Sequence, residues 1–162
     1  MSGETPFPAK ATQGARVSRC NISALKKAAR RLSLLYDTAL APTGLKATQY
    51  GILSALKARG AALPTVGELA EELVMDRSTL GQNLRPLERD RLVRLLSDPK
   101  DRRSRLVALT KLGLAKLTEA ATYWRVAQER FEAAFGQQAA AELRAVLHAI
   151  AYNEALAKPG NE

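Results

Sequence analysis

The sequence predicts a mainly α-helical chain with a small two-stranded β wing: a winged helix-turn-helix flanked by long N- and C-terminal helices. Three observations carry that reading. Two short segments with apolar faces, opened by Thr65 and Asp76, follow one another with a tight turn between them. Two strand-like runs, Leu92–Leu96 and Arg105–Leu109, flank a turn-rich basic stretch. Hydrophobic residues make up 46% of the chain but aromatic ones only 5%, so Ala and Leu dominate and helices are favoured.

The elements can be justified in order. Residues 1–18 hold Gly3, Pro6, Pro8 and Gly14 among small polar and basic residues, and read as a mobile basic arm. A helix is predicted from about Arg19 to Ala41, because Ile22, Leu25, Ala29, Leu32, Tyr36 and Ala39 recur at steps of three and four. Pro42-Thr43-Gly44 ends it. The next helix, about Lys46 to Ala58, turns Tyr50, Leu53 and Leu56 inward. Thr65 and Glu68 have the spacing of a capping box, and Val66, Leu69, Ala70 and Leu73 form the apolar face behind them. Asp76 is a good N-cap for a second helix with Leu80, Leu84 and Leu87 on one face and Ser78, Gln82, Arg85 and Arg89 opposite. Pro86 removes one amide from that helix and predicts a bend. After the two strands, Thr110 can cap a long helix to about Phe135, with a stripe of Leu114, Leu117, Ala121, Trp124, Gln128, Phe131 and Phe135. Gly136 breaks it, and a last helix is predicted from about Gln137 to Ala157.

Two motifs, MDRSTLGQNLRPLERDRLV and DPKDRRSRLVALTKLG, make the sequence resemble the MarR family of bacterial transcription regulators. The likeness is specific over roughly residues 45–115. The second motif resembles the family's wing, an Asp-Arg-Arg-type tip leading into a strand that ends Leu-Thr-x-x-Gly. One departure is Arg91, where the family usually has Gly. If that position needs a positive φ, a non-Gly residue there costs on the order of 1 kcal/mol; otherwise the helix ends differently. The resemblance implies a homodimer on a pseudo-palindromic double-stranded DNA operator. Residues 19–44 and 111–158 would supply the dimerisation helices, and residues 45–110 the DNA-binding region. It also implies a small-molecule effector, often an anionic aromatic compound, in a crevice between the dimer helices and the winged helix. Tyr36, Tyr50 and Trp124 are candidates for its lining, with core packing as their alternative role.

Charge supports the DNA reading. The chain carries a net +9. Residues 1–31 hold seven basic and one acidic side chain, and residues 76–105 hold nine and five, so the basic excess falls on the arm and on the motif. In the second helix, Gln82 can pair bidentately with adenine and Arg85 with guanine. Ser78 and Thr79 can contact phosphate or base, Gly81 can let the backbone approach, and Arg77 grips phosphate. By the resemblance, Arg103 of the wing enters the minor groove, Arg102 contacts phosphate, and Asp101 orients the loop through an ion pair.

Other chemistry is thinly represented. One Cys and one His make a protein metal site improbable and leave no catalytic constellation, so neither an enzyme nor a bound cofactor is expected. Glu71-Glu72 reads as a solvated helix face. Cys20 begins the first helix, where some MarR-type proteins sense peroxides; a redox role for it is the alternative to an inert thiol. A non-specific architectural DNA-binding protein is the other alternative. The N-terminus lacks the apolar core of a signal peptide, and no run approaches the roughly 20 residues of a membrane span, so a cytoplasmic location without a membrane partner is expected.

Overall fold

The computed structural model describes residues 19–157. The expected arm over residues 1–18 lies outside them. The elements are α1 (Asn21–Leu40), a 3-10 turn (Ala41–Thr43), α2 (Ala47–Arg59), α3 (Val66–Glu72), α4 (Arg77–Arg89), β1 (Val93–Ser97), β2 (Arg105–Leu109), α5 (Lys111–Phe135), α6 (Gln137–Ala151) and α7 (Glu154–Ala157). A mainly helical chain with one antiparallel β hairpin is the fold class the sequence predicts. Two compact units are present: Ser33–Arg125 is one, and the described residues of the other are 19–32 and 126–157.

Leucine packing builds the first unit. Leu53 and Leu56 of α2, Leu69 of α3, Leu80, Leu84 and Leu87 of α4, and Val93 and Val107 of the hairpin are all buried in one cluster. Those leucines are the inward positions their helical spacing predicts. Tyr50 and Trp124 pack partly buried against the cluster. Their rings stack with centroids 6.0 Å apart, and Tyr36 lies 6.3 Å from Trp124. Burial raises the Tyr50 hydroxyl pKa, opposed by a hydrogen bond with Ser54.

Local chemistry sets the boundaries. The Ala47 amide donates to Asp37 Oδ1 at 2.7 Å and the Lys46 amide to Gln49 Oε1 at 2.9 Å, so α2 is capped from both sides. Helices α3 and α4 end alike. Val74 (φ 51°) and Arg91 (φ 59°) each take the left-handed conformation that turns the chain. In the first, the Val74 amide donates to Glu71 O and the Met75 amide to Ala70 O; in the second, the Arg91 amide donates to Glu88 O and the Leu92 amide to Leu87 O. This is the Schellman pattern. The departure at Arg91 is thus met with strain instead of a different helix end. It also moves the start of β1 from Leu92 to Val93, because the Leu92 amide is spent on α4.

Helix α4 runs unbroken through Pro86, whose carbonyl still accepts from the Asp90 amide at 3.0 Å. The predicted last helix is divided into α6 and α7 at Tyr152–Asn153, where Asn153 Oδ1 accepts from the Ala155 amide at 2.9 Å. A short polar side chain bonding its own neighbouring backbone competes with the helix there.

Candidate nucleic-acid interface

Helix α3 starts as a reciprocal box: the Glu68 amide donates to Thr65 Oγ1 at 3.1 Å, and the Thr65 amide to Glu68 Oε2 at 2.7 Å. The Thr65 amide is the main cause holding the Glu68 carboxyl below its usual pKa. Thr65 also bridges to Leu106, and the Val107 amide donates to Pro64 O at 2.8 Å, so the start of α3 is tied to β2. Helix α4 starts at Asp76, whose carboxylate accepts from the Thr79 hydroxyl at 2.6 Å and the Thr79 amide at 2.7 Å. These bonds, the hydroxyl first, lower the Asp76 pKa.

The face of α4 turned away from the core carries Arg77, Ser78, Thr79, Gln82 and Arg85, all exposed. Thr79 differs from its sequence reading in one respect. Its hydroxyl hydrogen is committed to Asp76, so toward a base it offers the methyl group and an acceptor. Arg89 is drawn aside into a paired contact with Asp90, at 2.8 and 3.2 Å. Gln82 and Arg85 take part in no such pairing among the described residues.

The wing is β1 paired antiparallel with β2, Val93 opposite Leu109 and Ser97 opposite Arg105. Its tip closes as a turn in which the Ser104 amide donates to Asp101 O at 2.9 Å. Asp101 orients this turn by hydrogen bonds, and among the described residues it forms no ion pair of the kind expected. Its carboxylate accepts from the Arg103 amide at 2.9 Å and the Ser104 hydroxyl at 3.3 Å. An Asp at the first turn position reaches amides two residues on more readily than a mobile guanidinium. Arg102 and Arg103 are the exposed central residues of the turn.

Arg77 and Arg103 come together. They line, with Arg105, Ser104 and residues 65–67, a cavity of about 310 Å3. Arg102 does not line it. Gly67 matters here: a Cβ on it would stand 3.1 Å from an Arg77 guanidinium nitrogen, so the bare backbone lets that group lie over α3. Three arginines and no acidic residue line this space, so its charge favours an anion. Arg105 was not picked from the sequence. Its place beside Arg77 depends on β2 running next to the start of α3, which spacing along the chain does not show.

At the far end of the wing, Thr110 caps α5: its hydroxyl accepts from the Gly113 amide at 2.9 Å and lies 2.7 Å from Arg91 O, to which it donates. The Thr110 amide donates to Leu92 O at 3.1 Å. Gly113 of the Leu-Thr-x-x-Gly motif packs so close to that carbonyl that a Cβ would fall 2.0 Å from Leu92 O. The remaining sequence candidates are apart from this site in the chain. Cys20 is exposed just before α1, and His148 is exposed with its ring 5.8 Å from that of Tyr152. Among the described residues no three His, Cys, Asp or Glu side chains are grouped to hold a metal ion, and no helix is long and apolar enough to cross a membrane.

Known proteins resemble this chain in sequence and in fold. Residues 43–104 match the sequence model of the MarR family. The transcriptional activatory protein BadR of Rhodopseudomonas palustris is 41% identical over 71 residues; the match spans 43% of this chain and 41% of that protein's length. The crystal structure of the Mycobacterium tuberculosis transcriptional regulator MosR in complex with DNA superposes with a TM-score of 0.76 at 30% identity, covering 87% of this chain and all of that one. CouR from Rhodococcus jostii, solved with p-coumaroyl-CoA bound, shares the fold with a TM-score of 0.71 at 22% identity, over 85% of this chain and 98% of that one.

Proposed function

Since the chain belongs to the MarR family of transcription regulators, we propose that it is a sequence-specific DNA-binding regulator acting as a homodimer on a pseudo-palindromic operator. The observation that carries this reading is the shared placement of the exposed α4 face and the wing, joined by the cavity that Arg77, Arg103 and Arg105 surround. Helix α4 enters the major groove with Gln82 and Arg85 toward base edges and Ser78 and Thr79 beside them. Arg77 grips phosphate at the helix start. The wing follows the backbone to the adjacent minor groove, with Arg103 reading its width and Arg102 on phosphate.

Apolar exposure supports the dimer. Ile22 of α1 is 55% exposed, Val146 of α6 56%, and Ile150 45%. Helices α1, α5 and α6 would cover these faces against a second copy. Such symmetry places the half-sites about one helical turn, roughly 10 bp, apart. The proposal includes repression relieved by a small anionic ligand, with Tyr36, Tyr50 and Trp124 beside the crevice. It includes neither catalysis nor a resident cofactor or metal, treats Cys20 as an inert thiol, and places the protein in the cytoplasm.

The test is selection of bound duplexes from a random library, followed by sedimentation of the complex. A two-fold symmetric consensus with two chains per duplex is expected. Equal affinity for unrelated duplexes would instead make the protein a non-specific architectural one, and a monomer at micromolar concentration would remove the dimer. Transcription from the selected site, with and without the protein, separates repression from the activation that the name of the Rhodopseudomonas relative describes.

A further inference from the structure

A second cavity, of about 260 Å3, opens within the unit Ser33–Arg125, between the C-terminal end of α2, the loop of residues 60–64, β2 and the first turn of α5. Apart from Lys57, Thr110 and Lys111 its lining is apolar, with no aromatic and no acidic side chain. Leu63 and Leu114 line it and are left 39% and 42% exposed, apolar surface that water covers only at a cost. Two cations, Lys57 and Lys111, line the same space from α2 and α5, and both are exposed. No ion pair among the described residues takes either of them. An aliphatic hollow with two unpaired ammonium groups is complementary to an anion with a short aliphatic body. The small volume suits a short chain.

We propose that this cavity binds a short aliphatic monocarboxylate, its chain against Leu63 and Leu114 and its carboxylate between Lys57 and Lys111, and that occupancy changes how the wing is held. The second half rests on the DNA-binding reading above; the first does not. The walls explain the coupling. Val107 and Leu109 belong to the wing strand β2, Pro64 leads into α3, and Thr110 and Lys111 lead into α5. The Val107 amide to Pro64 O and the Thr110 amide to Leu92 O are the bonds that tie these parts together. A ligand seated between Leu63 and Leu109 bears on both sides of that joint. The residues involved are distinct from Tyr36, Tyr50 and Trp124.

The experiment is an amide-shift titration of the full chain with hexanoate, 1-hexanol and acetate, repeated on the Lys57→Gln/Lys111→Gln double variant after its thermal melt has been matched to the parent. Hexanoate should give saturating shifts centred on Val107, Leu109 and Lys111, with binding about tenfold weaker for hexanol, which lacks the charge, at least tenfold weaker for the double variant, which lacks both cations, and about a hundredfold weaker for acetate, which keeps the carboxylate and loses four buried methylenes. Equal binding of hexanol, shifts that never saturate, or shifts centred on Tyr36, Tyr50 and Trp124 would overturn the site. In a second arm, hexanoate should change duplex affinity for the parent and not for the double variant. A protein that binds no duplex refutes the DNA reading while the shift map still decides the site. Duplex binding unmoved by hexanoate, with the shifts in place, refutes the coupling.

Discussion

Replacing Gly113 by Ala tests the joint between wing and long helix. The added Cβ would stand 2.0 Å from Leu92 O, 2.8 Å from Leu109 Cδ1 and 2.9 Å from the Leu92 carbonyl carbon. A carbon and a carbonyl oxygen approach to about 3.3 Å, so the backbone must open by roughly 1.3 Å. The Leu109 methyl can rotate away, but the Leu92 carbonyl cannot, since it accepts from the Thr110 amide. Overpacking of this kind costs about 1–3 kcal/mol, and a lost backbone hydrogen bond about 1 more. Gly113→Ala should therefore destabilise by about 2–4 kcal/mol, a large share of a typical total of about 5–15 kcal/mol. Gly51→Ala is the control. Gly51 lies inside α2 with nothing within 4 Å of its would-be Cβ, so better helix propensity should stabilise by up to about 1 kcal/mol. Urea unfolding followed by Trp124 fluorescence at one fixed protein concentration measures both. If Gly113→Ala fell within about 0.5 kcal/mol of the parent, the steric reasoning would be refuted, because that is the scatter of neutral substitutions.

Three further outcomes follow from the same structure. Val74→Gly should stabilise by about 1 kcal/mol in the same assay, since a β-branched residue at φ 51° carries strain that Gly lacks, less the extra entropy of Gly in the unfolded chain. The Asp76 carboxyl has a lowered pKa when folded, so its contribution is present above the unfolded value of about 3.9 and lost as pH falls through the folded one; the stability gap between the parent and Asp76→Ala should be open at pH 7 and narrow below about pH 4. Arg77→Ala and Arg105→Ala should each lower the salt dependence of DNA binding by about one phosphate per half-site, read as the slope of log affinity against log salt, and an unchanged slope for Arg105→Ala would mean that it meets no phosphate.

Much of the fold was legible because local chemistry and burial agree. The Thr65–Glu68 box, the Asp76 cap and the Leu80, Leu84, Leu87 face were readable from spacing alone, and the structure forms each of them. What escaped depends on residues far apart in sequence or on backbone conformation. Asp37 caps α2 from ten residues away, and nothing in its own segment marks it as a cap. Val74 occupies a left-handed position where composition would call for Gly, so propensity points the wrong way. The hydrogen-bonded turn at Asp101 replaced an expected ion pair because neighbouring amides lie within reach whatever the side chains of Arg102 and Arg103 do. Arg105 required knowing that β2 runs beside the start of α3. The break at Asn153 was hidden inside a helical hydrophobic pattern that continues to Leu156.

The central claim is that α4 reads base pairs in the major groove while the wing reads the shape of the minor groove. Binding-site selection on Gln82→Ala, Arg85→Ala and Arg103→Ala, against the parent, tests it most directly. The first two should each relax the preference at defined positions of the core motif, by about 1–3 kcal/mol per lost bidentate contact. Arg103→Ala should leave the core motif in place, weaken binding across many sequences, and erase a preference for flanking A·T tracts. A core motif altered by Arg103→Ala and untouched by both Gln82→Ala and Arg85→Ala would contradict the account.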